Sequence, residues 1–227
     1  MNIGKFKNSL DNSANLLKKN GLLRLHYRRN KSLSKKNIEV FGNGNIVDFY
    51  KLAIINFDYD ILLFDESILQ FEFTKFEGDI NLRYVYCQFP YDFPTYKTYL
   101  KDIGHDYDEV RDKFREDYEQ EVNEAELKKI CIYIRYDYNP LSYKPIVHAA
   151  SHLHFGNNNT IRIPISRIIS PCSFMLFILK HAYYDQWSSL MRNSNFNSEF
   201  LRIKNSCTSL LNSEIFKDLD KKELYLT

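Results

Sequence analysis

Cysteine is sparse and scattered. Cys87, Cys131, Cys172 and Cys207 never form a CxxC pair, so neither a zinc ribbon nor a thioredoxin-type motif has support, and buried free thiols are expected. Glycine is scarce too, with seven in 227 residues. No P-loop and no GxGxxG occurs, and Gly42-Asn43-Gly44 lacks both the lysine and the third glycine of a phosphate cradle. Nucleotide hydrolysis and dinucleotide redox chemistry are therefore not expected. HExxH and GxSxG are absent as well, which leaves metalloprotease and serine hydrolase chemistry without an anchor. The longest strongly apolar run, Phe174 to Leu179, is far short of the roughly 20 residues a membrane helix needs. No apolar signal segment follows Met1. No membrane partner and no cofactor is expected, and the expected location is the cytoplasm.

What is present is the composition of an ordinary globular chain, 44% hydrophobic and 26% charged, expected to form one domain over residues 1–227. Its 31 basic and 29 acidic side chains nearly cancel but are segregated. Residues 1–36 hold ten bases and one acid, a balance of +9, whereas residues 106–126 hold ten acids and three bases, a balance of −7. A basic N-terminal arm can track phosphates, or it can dock on the acidic segment of its own chain. Charge segregation alone does not choose between them.

Apolar periodicity predicts an amphipathic helix over 4–20, ended at Asn20-Gly21, and a short helix over 46–57. Residues 61–64 and 68–73 flank Asp65-Glu66-Ser67 as hairpin strands, and 80–89 forms a third strand. The alternation of Gln70 and Glu72 with Leu69, Phe71 and Phe73 is that of a sheet with one wet face. Residues 90–104 read as loop and 107–129 as one acidic helix, part of a 105–129 insertion into the sheet. Strands resume at 130–138, 147–155 and 160–163, with Asn157-Asn158-Asn159 as a turn. Ser170-Pro171 opens a helix running to 191, because serine supplies a capping acceptor and proline at the first position lacks only a donor that would be unpaired anyway. A further helix covers 200–211 within a helical C-terminal region, 170–227. The expected fold class is α+β, a mainly antiparallel sheet of about six strands with flanking helices.

The sharpest chemical signal is His148-Ala-Ala-Ser-His152-Leu-His154-Phe-Gly. Residues two apart on a strand share a face, so His152 and His154 project together while Leu153 and Phe155 face the core. Arg135 and Asp137 on the preceding strand and Arg162 on the following one can join them. Three readings follow. Neutral imidazoles with Asp137 are a half-site for a metal, although no second HxH supplies further ligands. Two imidazoles as acid and base beside Arg135 or Arg162 would suit metal-independent phosphodiester cleavage. Third, the histidines can be ordinary hydrogen-bonded strand residues in a ligand-free domain or partner interface. Arg24, His26, Arg28 and Arg29 would extend a phosphate-binding surface, with Tyr136, Tyr138 and His148 placed to contact RNA. For Arg135 and Arg162, cross-strand pairing with Asp137 and Glu72 is the alternative; for the tyrosines it is packing.

The strings Tyr-Ile-Arg-Tyr-Asp-Tyr (133–138), His-Leu-His-Phe-Gly (152–156), Arg-Ile-Pro-Ile (162–165) and Ser-Pro-Cys-Ser-Phe-Met-Leu-Phe-Ile-Leu (170–179) resemble an uncharacterised bacterial domain-of-unknown-function family. That resemblance covers about the last half of the chain and implies no activity. More distantly, a hairpin beginning Ile61-Leu62-Leu63-Phe64, a Tyr-x-Tyr strand at 84–86, Arg-Tyr-Asp at 135–137 and then the HxH segment are similar to TumE-type ribonuclease toxins. The chain departs from them in its length, its acidic insertion and the structure that follows its histidines. This likeness implies RNA as substrate and Arg135, Asp137, His152 and His154 at the active site. The leading expectation is an RNA-cleaving or RNA-binding protein of a bacterial toxin–antitoxin or phage-defence system. The rival is a non-enzymatic subunit that binds a protein partner, an antitoxin or a larger defence complex.

Overall fold

The computed structural model describes residues 1–27, 29, 34, 40, 45–76, 78–156 and 161–227. Its centre is a seven-stranded sheet with strands in sequence order: β1 (Leu23–His26), β2 (Ile61–Leu63), β3 (Ile68–Phe76), β4 (Asp79–Cys87), β5 (Tyr133–Tyr138), β6 (Ser151–Phe155) and β7 (Arg162–Pro164). Every neighbouring pair is antiparallel. The α+β class holds, with seven strands in this sheet rather than about six. The additional strand, β1, lies within what the sequence suggests is a basic arm.

Alternation along these strands builds two apolar layers. One face carries Leu63, Leu69, Phe71, Leu82, Tyr84, Tyr86, Ile134, Tyr136 and Leu153. It packs under α1 (Ile3–Lys19) and α6 (Pro171–Ala182), through Phe6, Leu10, Ala14 and Leu17 from the first and Phe174, Met175, Ile178 and Leu179 from the second. The other face carries Leu62, Ile68, Val85, Cys87 and Tyr133, which pack with Phe49 and Ala53 of α2 (Ile46–Ile55), Tyr96 and Leu100 of α3 (Tyr96–Asp102), and Tyr118 and Val122 of α5 (Arg115–Glu124). This second layer covers only the end of the sheet near β2 and the start of β5. The remainder of that face is polar.

The capping signals act as expected. Ser170 accepts from the Ser173 amide with Pro171 at the first helical position. Asn2 accepts from the Lys5 amide to start α1, and Gly21 takes φ +67° just beyond its end, a conformation glycine adopts without a Cβ clash.

Several boundaries differ, each for a local reason. The expected 90–104 loop contains α3, because Thr95 caps the Thr98 amide and Tyr96, Tyr99 and Leu100 bury one side of the turn. The expected acidic helix is broken into α4 (Tyr107–Val110) and α5 by Arg111 at φ +49°. The break lets Asp112 reach Arg24 at 2.6 Å and Arg115 reach Glu66 at 2.8 Å. The 171–191 helix is interrupted at Tyr183, whose hydroxyl bonds Asp65 at 2.7 Å and Tyr86 at 3.0 Å, and α7 (Tyr184–Met191) follows. The last long helix is α8 (Ser194–Asn205), beyond which Thr208–Ser209 (β9) pairs with Arg167–Ile168 (β8). The 147–155 strand starts only at Ser151, after a turn. The suggested turns at 42–44 and 157–159 lie outside the described residues.

Among the described residues, Arg24 and Arg29 of the basic arm are built into the fold. Arg24 on β1 pairs both Nη1–carboxylate contacts at 2.9 Å with Glu66, and its side chain is 3% exposed against 0% for Glu66. Arg115 holds the same carboxylate, and both guanidiniums lie over the Tyr96 ring, at 5.2 and 5.3 Å. This network ties β1, the β2–β3 turn and the acidic segment together. Because removing one partner of a buried ion pair strands the others, Glu66→Gln should lower stability by about 3–5 kcal/mol. Urea denaturation measures the loss, and residues 96–124 should lose amide-exchange protection first.

Candidate functional site

The polar half of the second sheet face is concave. A cavity of about 370 Å³ is lined by Glu72, Asn81 and Arg83 of the β3–β4 hairpin, Arg135 and Asp137 of β5, His152 and His154 of β6, Arg162 of β7, and Asn139, Ser142 and His148 of the β5–β6 connection. The register explains the gathering: Glu72 lies opposite Arg83, Arg83 opposite Asp137, Asp137 opposite His152, Arg135 opposite His154, and His154 opposite Arg162. Five strands thus contribute one polar row, each side chain placed by the same two-residue period that buries its neighbours.

Asp137 is the hub. Arg83 Nε donates to Oδ1 at 3.0 Å, Arg135 Nε donates to Oδ2 at 2.8 Å, and His154 Nε2 lies 3.3 Å from Oδ2. Burial alone would raise this carboxyl, but the His154 hydrogen bond and the two guanidinium charges outweigh it and hold Asp137 well below the usual carboxylate range. It is an anion at any physiological pH.

The three histidines form a row of edge-to-face rings, with centroids 5.0 Å apart for His148–His152 and 4.7 Å for His152–His154. His152 and His154 are each 2% exposed, on the floor of the cavity. Burial pushes His152 down to about 4, outweighing the favourable Asp137 charge; it lowers His154, and His148 at the rim, in the same direction. All three are neutral near pH 7. A neutral ring has one N–H, and the partners assign it. His152 Nδ1 lies 2.8 Å from the Ala149 carbonyl, which only an N–H satisfies, so Nε2 carries the lone pair. His154 faces a carboxylate with Nε2, so its lone pair is on Nδ1, a buried atom without a hydrogen-bond partner among the described residues.

The structure thus brings together His148, His152, His154, Arg135, Asp137 and Arg162 of the residues singled out from sequence. It does not bring the others there. Tyr136 points to the opposite face, 0% exposed, with its hydroxyl bonded to Ser151 Oγ and accepting from the Ile169 amide, so it offers no ring to a base. Tyr138 is buried in the same core and only borders the cavity. Arg24 is taken up by Glu66 and Asp112, and Arg29 by Asp60 at 2.8 and 3.0 Å. His26 sits on β1, six strands from β7, and Arg28 lies outside the described residues. Sequence reasoning missed Arg83, Asn81 and Ser142. Arg83 was legible in the alternation of Asn81, Arg83 and Val85 with Leu82, Tyr84 and Tyr86.

The chain belongs to a family of uncharacterized conserved proteins, DUF2290, with the match spanning residues 11–224. The match therefore spans the whole sheet and, from the middle of α1 onward, the helices on both sides of it, more than the half on which the resemblance rests. No curated protein and no solved structure matches the chain. No helix is long and apolar enough, among the described residues, to cross a membrane.

The ionisation states give a stability signature. His152 binds protons more weakly folded, near 4, than unfolded, near 6.5. Its contribution is full above about pH 6.5 and is lost as pH falls through the window down to about 4. At about 1.4 kcal/mol per pKa unit the loss reaches about 3 kcal/mol. Asp137, lowered, contributes stability that disappears only below its unfolded value. Urea midpoints measured from pH 7 to 4 should fall, and His152→Gln should reduce that slope, with His154 and His148, lowered in the same direction, accounting for a remainder.

Proposed function

We propose that this cavity binds and cleaves the phosphodiester of RNA by acid–base catalysis without a metal. The observation that carries the reading is the convergence, on one concave face, of a histidine with its lone pair fixed on Nε2, a second histidine paired with a carboxylate, and three arginines. Counting Arg83, Arg135 and Arg162 against Glu72 and Asp137, with neutral histidines, the lining has a net charge of +1, which favours an anion.

In this reading Arg162, exposed on the edge strand β7, meets the phosphate and Arg135 supports the charge that develops on its non-bridging oxygens. His152 Nε2 removes the 2′-hydroxyl proton. The 2′-oxygen attacks phosphorus and the bond to the 5′-oxygen breaks. His154, protonated once the anion is bound, returns a proton from Nδ1 to the departing oxygen, leaving a 2′,3′-cyclic phosphate and a 5′-hydroxyl. The distant likeness to TumE-type ribonuclease toxins supports the same substrate and a role in a bacterial toxin–antitoxin or phage-defence system.

Asp137, His152 and His154 also offer ligand atoms within 4.8 Å of one another, and a backbone carbonyl on the far nitrogen of His152 suits a metal-bound imidazole. Against this, a dication would share Asp137 with two guanidiniums already bonded to it, at close like-charge range.

Purified protein should cleave labelled RNA in excess chelator, and His152→Ala and His154→Ala, checked for folding by thermal melts, should each slow cleavage at least ~100-fold. Unchanged cleavage in both variants overturns the mechanism. Loss in chelator with recovery on adding zinc or manganese transfers the site to the metal reading. Expression of the wild type, but not of His152→Ala, should arrest growth; a harmless wild type without cleavage favours a non-enzymatic subunit that binds a protein partner.

A further inference from the structure

The segment between β5 and β6 delivers His148 and Ser142 to the cavity rim, and its conformation is held from far away in sequence. Asn139 accepts from the amides of Leu141 and Ser142 to open a short turn, and Lys144 and His148 then exchange two backbone hydrogen bonds, 2.9 and 2.8 Å. Between them Ile146 sits at φ +63°. A β-branched side chain in the left-handed region crowds its own carbonyl, and such residues persist only where their surroundings impose the conformation. Apolar packing does not impose it here, since Ile146 is 48% and Val147 74% exposed.

A carboxylate does. Asp220, 5% exposed, accepts from the Ile146 amide at 2.8 Å through Oδ1, and through Oδ2 from the Tyr143 hydroxyl and, at 2.8 Å, the Lys217 amide. Burial would raise the Asp220 carboxyl, yet these hydrogen bonds keep it low and ionised. The segment carrying it is itself anchored. Phe216 is 2% exposed and packs on Tyr225, the Leu226 amide donates to the Pro164 carbonyl at 2.9 Å, and the Ser166 amide donates to the Leu226 carbonyl at 2.9 Å. The C-terminal segment is thus fixed to the sheet edge beside β7 and reaches across to grip the strained turn.

We propose that Asp220 is a positioning residue for the histidine row: by clamping the Ile146 amide and the Tyr143 hydroxyl it fixes the left-handed turn that sets His148 against His152 at the mouth of the cavity. This rests on the cleavage reading for its functional consequence, but not for its structural one. His148 closes one side of the His152 ring, so the clamp limits the directions from which a substrate hydroxyl can approach Nε2. Asp220 touches neither the cavity nor any reacting atom.

The experiment uses the full chain with isotope-labelled histidine. Wild type should show a ring-to-ring nuclear Overhauser contact between His148 and His152. Asp220→Asn should lose it while the fold, read from the remaining amide spectrum, is kept, and cleavage of labelled RNA should fall about tenfold in kcat with KM little changed. Tyr143→Phe, which removes the hydroxyl that donates to Asp220 and accepts from the Lys217 amide at 3.4 Å but leaves the Asp220 carboxylate on the Ile146 amide, should weaken the contact partially and serves if Asp220→Asn does not fold. Adding Ile146→Asn to Asp220→Asn should restore the contact, because asparagine tolerates the left-handed region that isoleucine resists. An intact ring contact in folded Asp220→Asn, or in Tyr143→Phe where that variant alone folds, overturns the proposal. So does a contact that stays lost in the double variant, since the clamp would then be holding something other than the strained turn. The ring contact needs no substrate, so failure of the clamp and failure of the RNA reading are separable.

Discussion

Unequal cover on a sheet with strict two-residue alternation governs everything else in this molecule. Along β4 and β5 each residue is committed to one face, so Tyr84 and Tyr136 enter the layer under α1 and α6, while Arg83, Arg135 and Asp137 go the other way. Had the α2–α5 layer extended over the whole second face, those charges would lie under apolar cover at a prohibitive desolvation cost. It ends instead at Val85, Cys87 and Tyr133. Beyond that line the side chains are buried mainly by one another, which obliges each to find a charged or hydrogen-bonding partner among its cross-strand neighbours. A cavity floored by ionic pairs is the outcome of that geometry.

Two carboxylates in the fold, Glu66 and Asp137, each hold a pair of arginines, and comparing them shows why only one opens onto a cavity. Around Glu66 the remaining neighbours are Tyr50, Tyr96 and Tyr118 with Arg24 and Arg115, a closed set in which the carboxylate is fully buried. It locks three segments together, and the carboxylate itself presents nothing to solvent. Around Asp137 the third partner is an imidazole, and beyond it stand two more imidazoles and an exposed arginine along a cavity wall. The same ion-pair chemistry serves cohesion in one place and sets ionisation states in the other.

Much of this was legible in the sequence because it depends on local rules. The Ser170-Pro171 start, the amphipathic α1 and the hairpin around Asp65-Glu66-Ser67 are encoded within a few residues of themselves. So is the shared face of His152 and His154, and their meeting with Arg135 and Asp137 followed from adjacent strands in an antiparallel order. What was not legible depends on distant partners. The break at Arg111 answers to Arg24 and Glu66, the break at Tyr183 to Asp65 and Tyr86, and the strand character of 23–26 to an edge of the sheet some forty residues later. Tyr136 shows the opposite failure. With Tyr138 it suggests a ring offered to a base, yet its neighbours Arg135 and Asp137 line the cavity, and adjacency along a strand sends Tyr136 to the opposite face.

The ionisation of the cleft also bears on how a base as weak as His152 could act. With Asp137 held low by its His154 hydrogen bond and the charges of Arg83 and Arg135, and His152 down to about 4, the carboxyl is ionised and the His152 ring is neutral near pH 7, with its single N–H on Nδ1. For His152 the cause is desolvation of the imidazolium, to which the neighbouring His154 and His148 rings add; an anion at the cavity mouth would oppose it, since it favours the charged form of every ring that faces it. On the proposed reading, proton uptake is therefore coupled to substrate entry. His154, already hydrogen-bonded to a carboxylate that cannot itself be neutralised, is the ring best placed to accept that proton. His152, whose Nδ1 is fixed to a neutral carbonyl, keeps its lone pair longest. On that reading the two strand histidines, alike in sequence context and equally buried, take the roles of acid and base from the partner each finds on its far nitrogen.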